Sequence, residues 1–389
     1  MNHKPKLLLV ADTYYPKVDG TLRFMEEFIK RSRYSFEISL LVPKLDKTKE
    51  GYKNLEITFL EPSQLLSISG YPSLKLSLKN IKLLKKTIKN SELIFIQGPA
   101  LISYLSIYYG HKYKKKTIFY THTIAWELLE KFFPPLLNKI FLKLVKRFTI
   151  LAYNHCNEIL VPYHELKMQL ARSGVKTEMT VAKLGIDIDL FSPTKDKQIS
   201  KKKLGISSDK LVIGYVGRIS KEKNAQILLN AFQKLPNQKK MQLLMIGDGP
   251  EDQTKRFRNL KNCTVTGFVS NVQDYLKAMD IFIMPSLTET TSLATLEAMS
   301  CGLPVIASKV GFIKHYLIKN YNGLFFPKSS SRILALKIAR LIEDEHFRHK
   351  LGKNARRMVA YSFSWERSIN RIKRILLQHH LRKLQNSNH

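Results

Sequence analysis

The feature that most constrains this chain is a repeated alternation of short apolar runs with helix-length segments, occurring in two separate series. A strand of a parallel sheet is buried on both faces, so it reads as a near-continuous apolar run. It also needs a crossover helix to bring the chain back, and the alternation supplies both. The first series is KLLLVAD (6–12), a turn at Pro16 to Gly20, a helix over about 21–31, EISLLVP (37–43) and LEITFLEP (55–62). It continues with a Lys-rich helix over about 73–90, ELIFIQGP (92–99), a helix near 100–111, KTIFYTH (116–122), a longer helix over about 135–154 and EILVPY (158–163). The second is LVIGYVG (211–217), a helix over about 224–235, MQLLMIG (241–247), CTVTGF (263–268), a helix at 271–279, DIFIMPS (280–286), a helix over about 292–300 and PVIAS (304–308).

Between the series, GIDIDLFSPTKDKQISKKK (185–203) is polar, charged and proline-containing, as linkers are. The expected fold is therefore α/β, with two Rossmann-like domains facing across a cleft and parallel sheets flanked by helices. The predicted boundaries are a first domain over 1–185, a linker over 186–205, a second domain over 206–362 and a closing helix over 363–389. That last segment has helical apolar spacing at Trp365, Ile369, Ile372, Ile375 and Leu376, and it suits packing on either domain, the first included. A length of 389 residues with 44% hydrophobic content allows each half its own core.

Three cysteines, Cys156, Cys263 and Cys301, stand far apart with no C-x2-C pair, which argues for a reducing compartment and against structural zinc. The amino-terminal apolar run meets Asp12 too early for a secretory signal, and no stretch reaches the ~18 apolar residues of a spanning helix. The charge is the outlier: 65 Lys and Arg against 31 Asp and Glu give +34. Such a field draws the protein to polyanions, whether nucleic acid, anionic lipid or phosphorylated substrate. Solubility alone would have favoured a parallel rise in acidic residues.

Ligands of doubly wound sheets bind at the carboxyl ends of the strands. The most informative strand end is PSLTETTSLATLEAMSCGLPVIAS (285–308). A strand finishes, a polar turn follows, and a helix starts near Ser292 and stops at Gly302, with Pro304 beyond. The first amides of that helix, around Thr291 to Ala294, form an anion site suited to a diphosphate. Glu289 before the helix and Glu297 within it flank that position, and carboxylates accept hydrogen bonds from sugar hydroxyls. The residues alone equally allow Glu297 as a solvated surface acid and Glu289 as a helix-start acid favoured by the dipole.

This passage resembles the Glu-x7-Glu signature of the retaining family-4 glycosyltransferases of GT-B fold. GYVGRISKEKN (214–224), MIGDGP (245–250), TGFVS (266–270), NGLFFP (322–327) and YSFSWE (361–366) are similar to further landmarks of that family, in its order and spacing. The resemblance implies a hexosyltransferase in which Arg218 and Lys223 bind the donor diphosphate. It further implies that Glu289, with Thr290, Thr291, Ser292 and Leu293, holds the donor sugar and phosphates, that Glu297 takes the ribose diol, and that Gly267, Phe268 and Val269 meet the nucleobase. Gly20 matches the glycine of the first-strand loop, and His122 the histidine beside the transferring sugar. The catalytic set so implied is His122, Arg218, Lys223 and Glu289. No cofactor and no metal are expected. Asp187 and Asp189 look like a metal-binding Asp-x-Asp of another glycosyltransferase fold, but they match the family's hinge segment and read as structural.

The first half, through GYPSLKLSLKN (70–80), IFIQGPALISYLSI (94–107) and ILVPYHELKMQL (159–170), resembles the subgroup acting on membrane glycolipids and lipid-linked acceptors. Departures are Ile124, where Asp often follows His-Thr, His315, where Glu is frequent, and Asp19, where a second Gly often stands. Two basic stripes fit a lipid acceptor: Lys75, Lys79, Lys82, Lys86 and Lys89 on one helix, and Lys139, Lys143, Lys146 and Arg147 on the other. The second helix carries Ile140, Leu144, Phe148 and Leu151 near its other face. A helix packed on its sheet with a solvated lysine face is the commoner situation, and for the 73–90 helix it suits the stripe equally well. The expected partners are a UDP- or GDP-linked mannose or glucose donor, a lipid or lipid-linked acceptor and an anionic membrane surface. The expected location is cytoplasmic, at the inner face of the membrane. The alternatives are transfer to a soluble or polysaccharide acceptor, a sugar-nucleotide epimerase, and a basic nucleic-acid-binding protein. The last lacks any RNA-binding, zinc-finger or KH signature.

Overall fold

The computed structural model describes residues 4–15, 20–45, 55–68, 71–122, 124–130 and 135–387. The chain forms two compact units, one of Met1–Leu184 with Glu366–His389 and one of Gly185–Trp365. In the first, strands run β1 (Lys6–Ala11), β2 (Glu37–Pro43), β3 (Glu56–Leu60), β4 (Pro62–Ile68), β5 (Tyr71–Leu74), β6 (Leu93–Gln97), β7 (Lys116–Tyr120), β8 (Glu158–Val161) and β9 (Met179–Val181). In the second they are β10 (Leu211–Val216), β11 (Met241–Ile246), β12 (Cys263–Val265), β13 (Ile281–Met284), β14 (Val305–Ser308) and β15 (Gly323–Phe326).

The sheet orders are β3-β2-β1-β6-β7-β8-β9 and β12-β11-β10-β13-β14-β15, with every pairing parallel. Each sheet winds outward from its first strand, then reverses, as in the doubly wound dinucleotide folds. The reversal opens a crevice at the strand ends beside β1 and β6 in one unit, and beside β10 and β13 in the other. All five residues of β6 and all six of β11 are buried, as central parallel strands require.

Two elements differ from the sequence reading. The helix expected from 73 begins at Leu78, because Ser77 caps it by accepting the Asn80 N–H at 3.2 Å. The residues before it form the antiparallel hairpin β4–β5. The segment expected as a linker over 186–205 belongs to the second unit. Asp196 caps the helix Lys197–Lys203 through the Ile199 N–H at 3.0 Å. Lys201, side chain 8% exposed, reaches Asp280 at 2.8 Å, and Lys197 reaches it at 3.3 Å. Burial alone would raise the Asp280 carboxyl, but the two ammonium groups and the Val212 N–H, 2.8 Å away, hold it below the ordinary aspartate value. A lysine-rich stretch reads as solvated until its acidic partner, distant in sequence, is found.

The C-terminal helix Trp365–Ser387 lies in the first unit from Glu366 onward, one of the two placements its apolar spacing allowed. Ile369, Ile372 and Leu376 are fully buried, Lys373 bonds the Arg31 carbonyl at 3.3 Å, and His379 meets the Glu158 carboxylate at 2.7 Å. Asp187 accepts the N–H groups of Asp189 and Leu190 at 3.2 and 2.9 Å, which shapes a local turn.

Candidate active site

In the second unit the crevice residues come from three strand-end loops held together by close backbone approach. After β10 the chain turns through Gly217, and the Ile219 N–H bonds the Asp248 carbonyl at 2.9 Å. A Cβ at Gly247, where φ is +131°, would lie 2.2 Å from the Gly217 oxygen, so only glycine permits this approach. The buried Tyr215 hydroxyl donates to the Arg218 carbonyl at 2.8 Å, and burial keeps it protonated well above its ordinary range. The loop is thus fixed from below, and Arg218 projects from it exposed, with no ion-pair partner among the described residues.

Lys223, five residues on, lies 2.6 Å from Oε1 of Glu289, which also accepts the Ser286 hydroxyl at 2.7 Å. The Glu289 side chain is only 8% exposed. Both bonds fall on Oε1, leaving Oε2 outside this pair of contacts. The Glu222 carbonyl accepts the Leu287 N–H at 3.0 Å, and its carboxylate takes the Thr288 hydroxyl at 2.9 Å. The 218–223 loop and the loop after β13 therefore form one scaffold.

That second loop is anchored from behind. The Thr290 carbonyl accepts the Phe312 N–H at 2.9 Å, and the Thr291 carbonyl accepts the Tyr316 hydroxyl at 2.8 Å. The helix Leu293–Ser300 follows from Ser292, which holds φ at +58°. The Ser292 hydroxyl pairs with that of Thr295 at 2.8 Å and makes no capping bond. The first amide to bond back is Thr295, to Ser292, so the amides of Leu293 and Ala294 open the helix without intrahelical acceptors. Thr291 is buried, and its hydroxyl has no partner among the described residues. Glu297 lies within this helix, half-buried. After β12, Gly267 (φ +70°) has open space where a Cβ would stand, Phe268 is 73% exposed and Val269 is half-buried.

In the first unit the corresponding strand ends carry Asp12 after β1, Gln97 closing β6 and His122 after β7. Gln97 is fully buried, and its Oε1 lies 2.7 Å from Nε2 of His122. The imidazole packs against Tyr120 and Phe24, with ring centres 4.7 and 5.7 Å apart. Phe24 belongs to the helix Gly20–Ser32, whose first residue is the exposed Gly20. Asp19, the turn before Gly20, Thr123 and the side chain of Lys139 lie outside the described residues.

The two basic helices turn out to be different. On Leu78–Asn90, Asn80, Leu84 and Ile88 are buried, and the lysines form the opposite face, Lys79 pairing with Glu61 at 2.9 Å. That is a packed helix with a solvated stripe. On Pro135–Tyr153 one face, with Thr149, Ala152 and Tyr153, is buried in the core, yet the outer face is apolar as well. Ile140, Phe141, Leu144, Phe148 and Leu151 are exposed, Ile140 to 78%, and Lys143 and Arg147 lie exposed among them. No helix among the described residues is long and apolar enough to cross a membrane.

Residues 18–190 match the family described as Glycosyltransferase Family 4, and residues 196–358 match Glycosyl transferases group 1. The chain is a glycosyltransferase of the GT-B fold. Across 96% of its length this glycosyltransferase is 23% identical to an uncharacterized glycosyltransferase of Methanocaldococcus jannaschii, covering 98% of that protein. It is 29% identical to the alpha-monoglucosyldiacylglycerol synthase of Acholeplasma laidlawii over 61% of each chain. The crystal structure of HepE from Anabaena in complex with UDP matches with a TM-score of 0.78 over 96% of this chain and 100% of that one. At 17% identity, that last likeness is one of fold.

Within the glycosyltransferase, the expected residues of the second unit cluster by element: Arg218 and Lys223 on one loop, Glu289 to Leu293 on the next, and Gly267 to Val269 on the third. Sequence reasoning missed two contacts, Ser286 on Glu289 and Gln97 on His122. The second left a trace, a lone amide ending the apolar run LIFIQ.

Proposed function

We propose that this enzyme moves a hexose, mannose or glucose, with retention of configuration from a UDP- or GDP-linked donor to a membrane lipid or lipid-linked glycan, at the cytoplasmic face of the membrane. One observation carries the donor half. Arg218 and Lys223 stand on the loop that bonds to Glu289 and Thr288, and the chain from there leads straight into the uncapped helix start at Leu293, which supports a diphosphate seat between that loop and those amides. In the proposed step the bond between the anomeric carbon and the phosphate oxygen breaks. The acceptor oxygen bonds that carbon on the same face, and its proton passes to the leaving diphosphate. The cations and amides stabilise the charge that develops on the leaving group, and Glu289 grips sugar hydroxyls through its remaining oxygen. Glu297 takes the ribose diol and Gly267 to Val269 the base. No cofactor and no metal enter this scheme.

The outer face of helix Pro135–Tyr153 supports the lipid half, because exposed Leu and Phe interleaved with Lys and Arg suit the boundary between headgroups and acyl chains of an anionic bilayer. The charge of +34 adds long-range attraction. The Acholeplasma relative, named for a glucosylated diacylglycerol, belongs with this reading.

The test is incubation with labelled UDP- and GDP-sugars and anionic vesicles containing diacylglycerol or polyprenol phosphate, followed by organic extraction. Label should appear in the organic phase. In the same assay Leu144→Glu with Phe148→Glu should weaken vesicle sedimentation by about tenfold or more, since each buried side chain contributes ~1.5–3 kcal/mol. Label entering only soluble saccharides, with vesicle binding unmoved by the double substitution, would refute the lipid assignment.

A further inference from the structure

Gln97 is a polar side chain at the end of a strand whose every residue is buried. Its amide nitrogen has no partner among the described residues, while its Oε1 meets His122 Nε2 at 2.7 Å. A buried amide left half-satisfied is costly, so the bond to His122 must account for its place in the strand. A carbonyl oxygen only accepts, so an imidazole nitrogen held against it is the one that carries the proton. The rings of Phe24 and Tyr120 against the imidazole leave it little freedom to rotate.

We infer that Gln97 is a positioning residue that fixes the His122 ring and holds a proton on its Nε2. This rests on the proposed role of His122 beside the transferring sugar. A neutral amide serves that role where a carboxylate would not, because an anion at this distance would favour the imidazolium.

The other titratable groups on the surrounding elements are Tyr120, those of the helix Gly20–Ser32, and Asp12 at the neighbouring strand end. The Tyr120 hydroxyl donates to the Ala182 carbonyl at 2.7 Å, and burial keeps it protonated. On the helix Gly20–Ser32, Glu26 accepts from Tyr15 and faces Arg23, Glu27 pairs with Arg31, and Lys30 is exposed. Asp12 lies against Gly98, where an added Cβ would come 2.3 Å from its carboxylate.

The experiment is nitrogen NMR of histidine-labelled full-length enzyme, with His122 assigned by its loss in His122→Asn, alongside pH profiles of kcat/KM. Wild-type His122 should show the Nε2–H tautomer. In Gln97→Glu its titration should move up by about 1–2 pH units, and the acid limb of kcat/KM should follow. In Gln97→Leu the tautomer preference should disappear, and kcat should fall about tenfold or more with KM for the donor nearly unchanged. An Nδ1–H tautomer in the wild type, or a His122 titration unmoved in Gln97→Glu, would overturn the inference. If the NMR titration moves while the rate profile stays fixed, Gln97 holds its role and His122 loses its own.

Discussion

Lys223→Met is expected to lower kcat/KM by roughly 10²–10³, the cost of losing one donor aimed at charge that develops in the transition state. The ammonium lies 2.6 Å from Glu289 and on the same loop as Arg218, so it can serve the diphosphate while orienting the acid that holds the sugar. Its removal strips a buried carboxylate of its ion pair and leaves only the Ser286 hydroxyl on Oε1. A fall in melting temperature should therefore accompany the loss of rate. Glu289→Gln separates the two effects. It keeps the shape and the acceptor oxygen, removes the buried charge, and should spare the melting temperature while still reducing kcat. Steady-state kinetics with thermal melts decide the matter, and wild-type turnover in either variant would remove these residues from the site.

The largest stability effect is expected at a place the sequence presents as a linker. Lys201→Met leaves the Asp280 carboxylate buried, with Lys197 at 3.3 Å as its remaining cation. Breaking a buried pair from one side costs about 3–5 kcal/mol, and Lys197 should hold the loss near the lower figure. Replacing both partners, in Lys201→Met with Asp280→Leu, should recover part of that loss, because no unpaired charge is left. Urea denaturation measures each variant.

The pH dependence has a definite sign. The Asp280 carboxyl sits below its ordinary value in the folded chain, so its contribution is complete above about pH 4 and is lost as pH falls through the folded value. The difference between wild type and Lys201→Met should shrink on acidification. A gap that stays constant down to the acid transition would contradict this.

The two sheets were legible because parallel strands buried on both faces leave unbroken apolar runs, and because each crossover helix follows its strand closely. β2 matches its run at both ends, and β6 and β11 lie within theirs. What escaped was set by contacts distant in sequence or by weak local signals. Residues 179–181 form the short edge strand β9 without an apolar run to announce it. The helix Lys197–Lys203 has a composition that only Asp280 makes sense of. The hairpin β4–β5 displaced the start of the lysine-rich helix because Ser77, the residue able to cap it, comes after the hairpin.

At the site, residue types and their order along the chain were readable, since Arg218, Lys223 and Glu289 stand in a recognisable pattern. Their mutual geometry was not. That Lys223 pairs directly with Glu289, and that Ser286 and Gln97 steady the two proposed site residues, follows from loop conformation, to which spacing along the chain is blind. The lysine stripes show the same limit. Both have helical periodicity, but only packing reveals that one helix leaves an apolar outer face uncovered.

The most direct test of the account is calorimetric titration of UDP and GDP into the wild type and into Arg218→Ala. Arg218 is exposed and has no ion pair among the described residues, so its removal should leave the fold intact. One nucleoside diphosphate should bind per chain. The substitution should weaken that binding by about 10–100-fold, the value of one charge-assisted contact to phosphate. Equal affinity in the two proteins, or no heat from either nucleotide, would mean that the diphosphate does not lie between the 218–223 loop and the helix that begins at Leu293.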